Sequence, residues 1–390
     1  VPVYADEEVT VLDSNASIFF PGGITFSVKA QSPDTISRIR LLYKVERLNY
    51  ADVVSEAWPI FSPSSQVEAQ WTWDMRKANL PPGGKVQYWW IIEDDAGHEY
   101  TSPVNTIDFN DTRYEWQEIS SGPLTLYWYE GDELFAEELI NAGLEALERL
   151  TGDTGTELEK PVDIYIYASS GDLQSSMIFP REWTGGVAFT EFSTIAIGVS
   201  EKNLDWGKDA LAHELGHMFT HQHTFSPYGT FLPTWLDEGL AMYAEANKDA
   251  YLTKTFEKAI AEQELISLRS LSSPFSAIPE VAYLSYAQSR SVVEYMIEKY
   301  GNENILLLLT ALKEGESIDN ALMDIYGFDQ DELEEQWREA VVSAAGETQT
   351  RQMHPILIIS ISIIALAVIC AFIFVLYRYN KSKKALSAEQ

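Results

Sequence analysis

Cysteine is almost absent from this chain: Cys370 is the only one in 390 residues. That excludes an intrachain disulfide and any cysteine-built zinc finger. Basic side chains are scarce too. Lysine and arginine number 27 against 59 aspartates and glutamates, for a formal charge of −32. A surface that acidic repels phosphate, so neither DNA nor RNA is an expected partner. The imbalance is uneven: from Arg351 onward five basic residues meet one acid, leaving 22 basic and 58 acidic side chains in the first 350 residues. Histidine is rarer still, with six in the chain, yet four of them fall between 213 and 223. Apolar material is plentiful. The chain is 46% hydrophobic and 12% aromatic, enough for real cores, and its length calls for more than one domain.

Ile356–Leu376 is an uncharged run of 21 residues without Pro or Gly. At about 1.5 Å per residue a helix there spans roughly 31 Å, the thickness of a hydrocarbon core. The sequence thus predicts a single transmembrane helix over 355–377. Arg378, Lys381, Lys383 and Lys384 follow at once, so the positive-inside bias makes 378–390 a cytoplasmic tail and puts the acidic bulk outside. The expected localisation is the cell membrane, single-pass, with the membrane as a partner. VPVYA at 1–5 reads as the remnant of a signal peptide, and GETQTRQMH at 346–354 as a polar stalk.

Between these ends two folded domains are expected. Residues 6–110 alternate β-branched and aromatic runs with turn material such as Ser32-Pro33-Asp34 and Pro81-Pro82-Gly83-Gly84. That pattern favours an all-β sandwich of immunoglobulin or fibronectin type. In its KVQYWWIIED run, Val86, Tyr88, Trp90 and Ile92 share one face. From 111 to 345 the pattern becomes a few strands (124–130, 162–169, 185–199) and then helices at about 206–222, 233–248, 250–266, 288–300, 302–314, 317–325 and 329–345, an α+β arrangement.

The chemistry concentrates in His213-Glu214-Leu215-Gly216-His217. Histidines four apart project from one face of a helix a turn from each other, so both imidazoles reach one Zn²⁺ at about 2.0–2.1 Å. Glu214, offset by about 100°, takes a proton from a water at the metal without being a ligand. Two third ligands compete. His223 lies ten residues after His213, which requires a sharp turn at position 220, where the chain has Thr220. Glu238 belongs to a second helix following Pro233, and Gly216 and Gly239 would let the two helices approach closely. Glu238 is the favoured reading. His221 cannot join the other two from the same straight helix.

HELGH followed by WLDEGLAMY resembles the gluzincins, zinc metallopeptidases of the peptidase MA-like group related to the aminopeptidase N family. The resemblance spans roughly residues 112–345. It implies a zincin-like catalytic domain with one Zn²⁺ per chain on His213, His217 and Glu238, Glu214 as general base, and a peptide or protein substrate. It also implies that Tyr286 stabilises the tetrahedral intermediate, although the family's Lys-Gly is replaced here by Gln288-Ser289. The strand that holds the substrate's amine through a Glu in the aminopeptidases corresponds to Gly185–Phe189, with no acid in the matching place and Glu191 out of register. The expectation is a membrane-anchored zinc metallopeptidase. Its rivals are a catalytically inactive surface binding or scaffold protein, and a metal-dependent hydrolase of non-peptide amides.

Overall fold

The computed structural model describes residues 9–77, 80–155, 157–180, 185–228 and 232–346. Seven antiparallel strands come first: β1 (Thr10–Phe19), β2 (Gly23–Val45), β3 (Ser55–Ala57), β4 (Ser64–Asp74), β5 (Gly84–Asp94), β6 (Glu99–Thr101) and β7 (Asn105–Phe109). The spine is β2, 23 residues long. Its first half pairs with β1 and β4, its second half with β3 and β5, and β5 pairs in turn with β6 and β7. Burial alternates along β2: Ile24, Phe26, Val28 and Ala30 lie inside, then the parity changes and Ile39 and Leu41 lie inside. The change falls at the ladder irregularities between Gln31 and Ile36 and between Ile36 and Arg38. Extra residues there let the strand bend and re-aim its side chains. Pro33, with no N–H to donate, sits in that unladdered stretch. Both halves of β2 contribute to one core with Trp73, Tyr88 and Trp90.

The break expected at Ser32-Pro33-Asp34 is corrected: a bulge carries β2 through it, so all seven strands belong to one hydrogen-bonded sheet, which bends there and packs its two halves on a shared core, the Phe26 and Tyr88 rings 4.9 Å apart.

The second region opens with β8 (Gln117–Ser121) and β9 (Leu124–Trp128), followed by α1 (Glu133–Thr154), β10 (Val162–Tyr167), α2 (Ser170–Ser175), β11 (Gly186–Phe189) and β12 (Thr194–Gly198). The strand order is β11-β12-β10-β9-β8. The three inner strands are parallel and both edge strands antiparallel. Asp132 starts α1 by accepting from the Phe135 backbone N–H at 2.9 Å, and Gly155 ends it at a φ of 74°, a left-handed conformation that suits glycine. One face of this sheet packs Leu126, Ile164, Ile166 and Ile195 against Leu139 of α1 and against Leu211, Leu215 and Phe219.

Those last three belong to α3 (Leu204–Thr224), which begins the helical half: α4 (Thr234–Ala244), α5 (Ala250–Glu262), α6 (Leu268–Leu271), α7 (Pro279–Tyr300), α8 (Asn302–Lys313), α9 (Ile318–Tyr326) and α10 (330–346). A core around Trp235, Leu240, Val293, Leu309 and Trp337 joins them. Helix α7 starts nine residues before the expected 288, because Pro279 at its first turn presets the helical φ.

The expected transmembrane architecture also needs correction. Among the described residues no helix is long and apolar enough to cross a membrane. Even α1, at 22 residues, carries Glu137, Glu138, Glu145 and Glu148, charges that a hydrocarbon core would not accept. What stands is a β-rich N-terminal region followed by a helical C-terminal region. No described helix supports the expected single-pass cell-membrane localisation with the membrane as partner. The segment 355–377, the tail at 378–390, most of the stalk and the 1–5 remnant lie outside the described residues.

Candidate active site

Two helices meet at the histidines. Helix α3 runs unbroken past Thr220 to Thr224, so no turn brings His223 back, and it belongs to neither metal-capable group that includes a described histidine of α3. From α4, Glu238 does reach them: its Oε2 lies 3.5 Å from His213 Nε2 and 3.4 Å from His217 Nε2. The close approach is set at Gly216, where a Cβ would come within 2.6 Å of the Ala241 Cα. Gly239 has a different neighbour from the one expected: a Cβ there would meet Val293 and the Ser289 carbonyl of α7, not α3.

Each imidazole is held from behind by a carboxylate that the motif reading did not identify. Glu245 Oε1 accepts from His213 Nδ1 at 3.0 Å, and Asp237 Oδ1 accepts from His217 Nδ1 at 3.0 Å. With Nδ1 donating, each ring turns the lone pair of Nε2 toward Glu238. Asp237 also takes His221 Nε2 at 3.1 Å to both oxygens, which makes His217, His221 and Asp237 a second cluster. The available signal was helical spacing: Glu245 lies seven residues, two turns, beyond Glu238 on the same chain face.

The electrostatics are those of a site short of positive charge. Burial would lower the His213 pKa, but the Glu238 and Glu245 carboxylates hold it up at about 9. Burial would raise Glu238, yet the two imidazoles bring it down to about 2. Asp237 lies well below the ordinary carboxylate range: burial opposes this, and hydrogen bonds from His217 and His221 overcome it. Glu214 is raised, chiefly by burial. Its carboxylate lies under β11, accepting from the Ala188 backbone N–H, and a Cβ on Gly186 would come within 2.7 Å of Oε1.

The residues fit a divalent cation. Glu238 Oε2 is buried without a hydrogen-bond partner, a costly state unless something else neutralises it. Tetrahedral bonds of about 2.0–2.1 Å separate ligand atoms by about 3.3 Å, close to the two observed separations. Two imidazoles and a carboxylate form a donor set suited to zinc.

Beside this centre is a cleft of about 960 Å³ lined by His213, Glu214 and Tyr286. The Tyr286 ring centroid lies 6.3 Å from that of His213; the residue sits within α7, not ahead of a helix. The outer edge of β11 bounds the cleft through Gly186 and Val187. Glu191 is turned away on the short helical segment Thr190–Phe192, paired with Arg47 at 2.9 Å.

Among solved structures, the chain is similar to OgpA from Akkermansia muciniphila (16% identity, TM-score 0.21), the match covering 27% of this chain and 28% of that one. It is also similar to Legionella pneumophila aminopeptidase A in complex with aspartic acid (10% identity, TM-score 0.40; 86% of this chain, 50% of that one). A third is the M1 zinc metallopeptidase from Deinococcus radiodurans (11% identity, TM-score 0.33; 85% and 94%). The chain therefore spans less than a third of the length of OgpA and half that of the Legionella protein. No curated protein matches it. The family model of the Peptidase MA superfamily matches residues 142–343, more than half of the chain and the whole of both site helices, and the chain belongs to that superfamily.

Proposed function

We propose that this chain is a zinc-dependent peptidase that hydrolyses peptide bonds, with one zinc held by His213, His217 and Glu238. The observation that carries the reading is the buried Oε2 of Glu238, without a hydrogen-bond partner, facing two imidazole nitrogens whose other sides are tied to carboxylates. When bound, zinc supplies Lewis acidity that brings a water's pKa toward neutrality and polarises a carbonyl. The side chains do the rest. Glu214 accepts the proton of the attacking water as the new C–O bond forms, and delivers it to the leaving nitrogen as the C–N bond breaks. Burial, which raises its carboxyl, suits it to carry that proton. Tyr286 donates a hydrogen bond to the oxyanion. The outer edge of β11, which pairs with no strand among the described residues, pairs with the backbone of an extended substrate, which favours a peptide over a smaller amide.

Glu214→Gln is expected to keep the metal and lose turnover by about 10²–10⁴-fold, an effect a purely structural zinc or an inactive scaffold would not produce. Glu238→Ala is expected to lose zinc by elemental analysis. Zinc retained in Glu238→Ala but lost in His223→Ala would overturn the ligand assignment.

A further inference from the structure

The cleft exposes an unusual amount of aromatic surface. Phe179 is 78% exposed, Tyr251 56%, Trp206 48% and Tyr283 42%, and all four line this one cleft. Among the described residues eight Phe, Tyr or Trp side chains are this exposed, so half of them converge here. Aromatic area left in water is unfavourable unless something covers it.

These four come from separate elements: Phe179 after α2, Trp206 in the first turn of α3, Tyr251 in the first turn of α5, Tyr283 in α7. Their placement is constrained. A Cβ on Gly185 would come within 2.9 Å of the Trp206 ring, so the indole lies against the backbone that leads into β11. Tyr251 and Tyr283 meet edge to face, with centroids 5.4 Å apart. Trp206 and His213 share a face of α3 about 10 Å apart along its axis, the reach of roughly three residues of extended peptide.

The carboxylates of the cleft already accept hydrogen bonds. Asp209 accepts from Asn247 Nδ2 with both oxygens, each at 3.2 Å. Asp249 caps α5 by accepting from the backbone N–H groups of Tyr251 and Leu252 at 2.7 and 2.9 Å. Glu245 is tied to His213. Among the described lining residues there is no lysine or arginine. A free amino terminus thus meets only carboxylates that already accept hydrogen bonds, Glu214 included, and among the described lining residues no lysine or arginine faces a free carboxyl terminus.

We propose that the cleft binds an internal stretch of extended peptide and selects a bulky apolar side chain, aromatic above all, within about three residues of the bond cut. It makes the chain an endopeptidase, and it rests on the peptidase reading above. Two decapeptides test it, both acetylated and amidated, one with two central phenylalanines and the other with alanines there. In calorimetric titration of the full-length Glu214→Gln protein, the phenylalanine peptide is expected to bind about tenfold tighter. Trp206→Ala and Tyr283→Ala, each added to Glu214→Gln, are expected to cut that ratio about fivefold, with Tyr251→Ala as the alternative if either folds poorly. The zinc-loaded wild-type protein is expected to cut the blocked phenylalanine peptide internally, within about threefold of the rate for its free-ended counterpart. Equal binding of the two blocked peptides, or stepwise trimming of free-ended peptides alone, overturns the proposal. Selective binding without cleavage of any peptide supports the groove and overturns only the peptidase reading.

Discussion

The histidines owe their orientation to single hydrogen bonds. A ring free to rotate or to change tautomer would present Nε2 to the metal only part of the time, and Asp237 and Glu245 remove that freedom. Asp237→Ala is therefore expected to weaken zinc binding about 10–100-fold, read by competition with a chromophoric chelator. Glu245→Gln should cost less, because an amide oxygen still accepts from His213 Nδ1. Equal affinity in Asp237→Ala and wild type would rule out the positioning role.

Between elements, the decisive contact is backbone against backbone. Gly216 lets α3 and α4 close to the distance at which Glu238 faces the imidazoles, and any side chain there must push the Ala241 backbone away. Gly216→Ala is expected to destabilise the protein by about 1–3 kcal/mol in urea unfolding and to weaken zinc binding as well. Gly152 in α1 provides the contrast: a Cβ there meets nothing within 4 Å, so Gly152→Ala is expected to stabilise by about 0.5–1 kcal/mol through helix propensity. The same added methyl group should give opposite signs on two helices, according to what lies beside it.

For the whole molecule, a charge of −32 means that falling pH at first relieves repulsion among carboxylates. Acid unfolding must then come from carboxylates that the fold holds ionised. Outside the site one buried carboxylate held in this way is Asp94, on the turn that closes β5 onto β6. Burial would raise its pKa, but hydrogen bonds from Ser32, the His98 backbone N–H and the His98 ring hold it at about 2. A carboxyl lowered from an unfolded value of about 3.9 stabilises the fold fully above that value, and the stabilisation is lost as pH falls toward about 2. Asp94→Asn is expected to lower the melting midpoint at pH 7 and to flatten its decline between about pH 5 and 2. Parallel wild-type and variant curves would show that Asp94 has no part in acid unfolding. Exposed pairs such as Arg76 with Asp74 contribute little at any pH.

Some of this was written in local order along the chain. Residues four apart on a helix share a face whatever surrounds them, so the pairing of His213 with His217 follows from spacing alone. Strand alternation likewise buries Val86, Tyr88, Trp90 and Ile92 together. The path of the chain between such segments is another matter. Pro33 reads locally as a break, yet β2 continues because strands on either side of it supply ladder partners. Whether Glu238 or His223 faces the imidazoles depended on α3 staying straight through Thr220 and on α4 folding back at Gly216. Asp237 and Glu245 lie 20 and 32 positions from the histidines they hold, and the four aromatics of the cleft are drawn from residues 179 to 283, brought together by the packing of separate elements. Short-range periodicity is a property of the backbone and can be read residue by residue. Which faces finally meet is decided by the packing of all the elements at once, and only the tertiary structure records it.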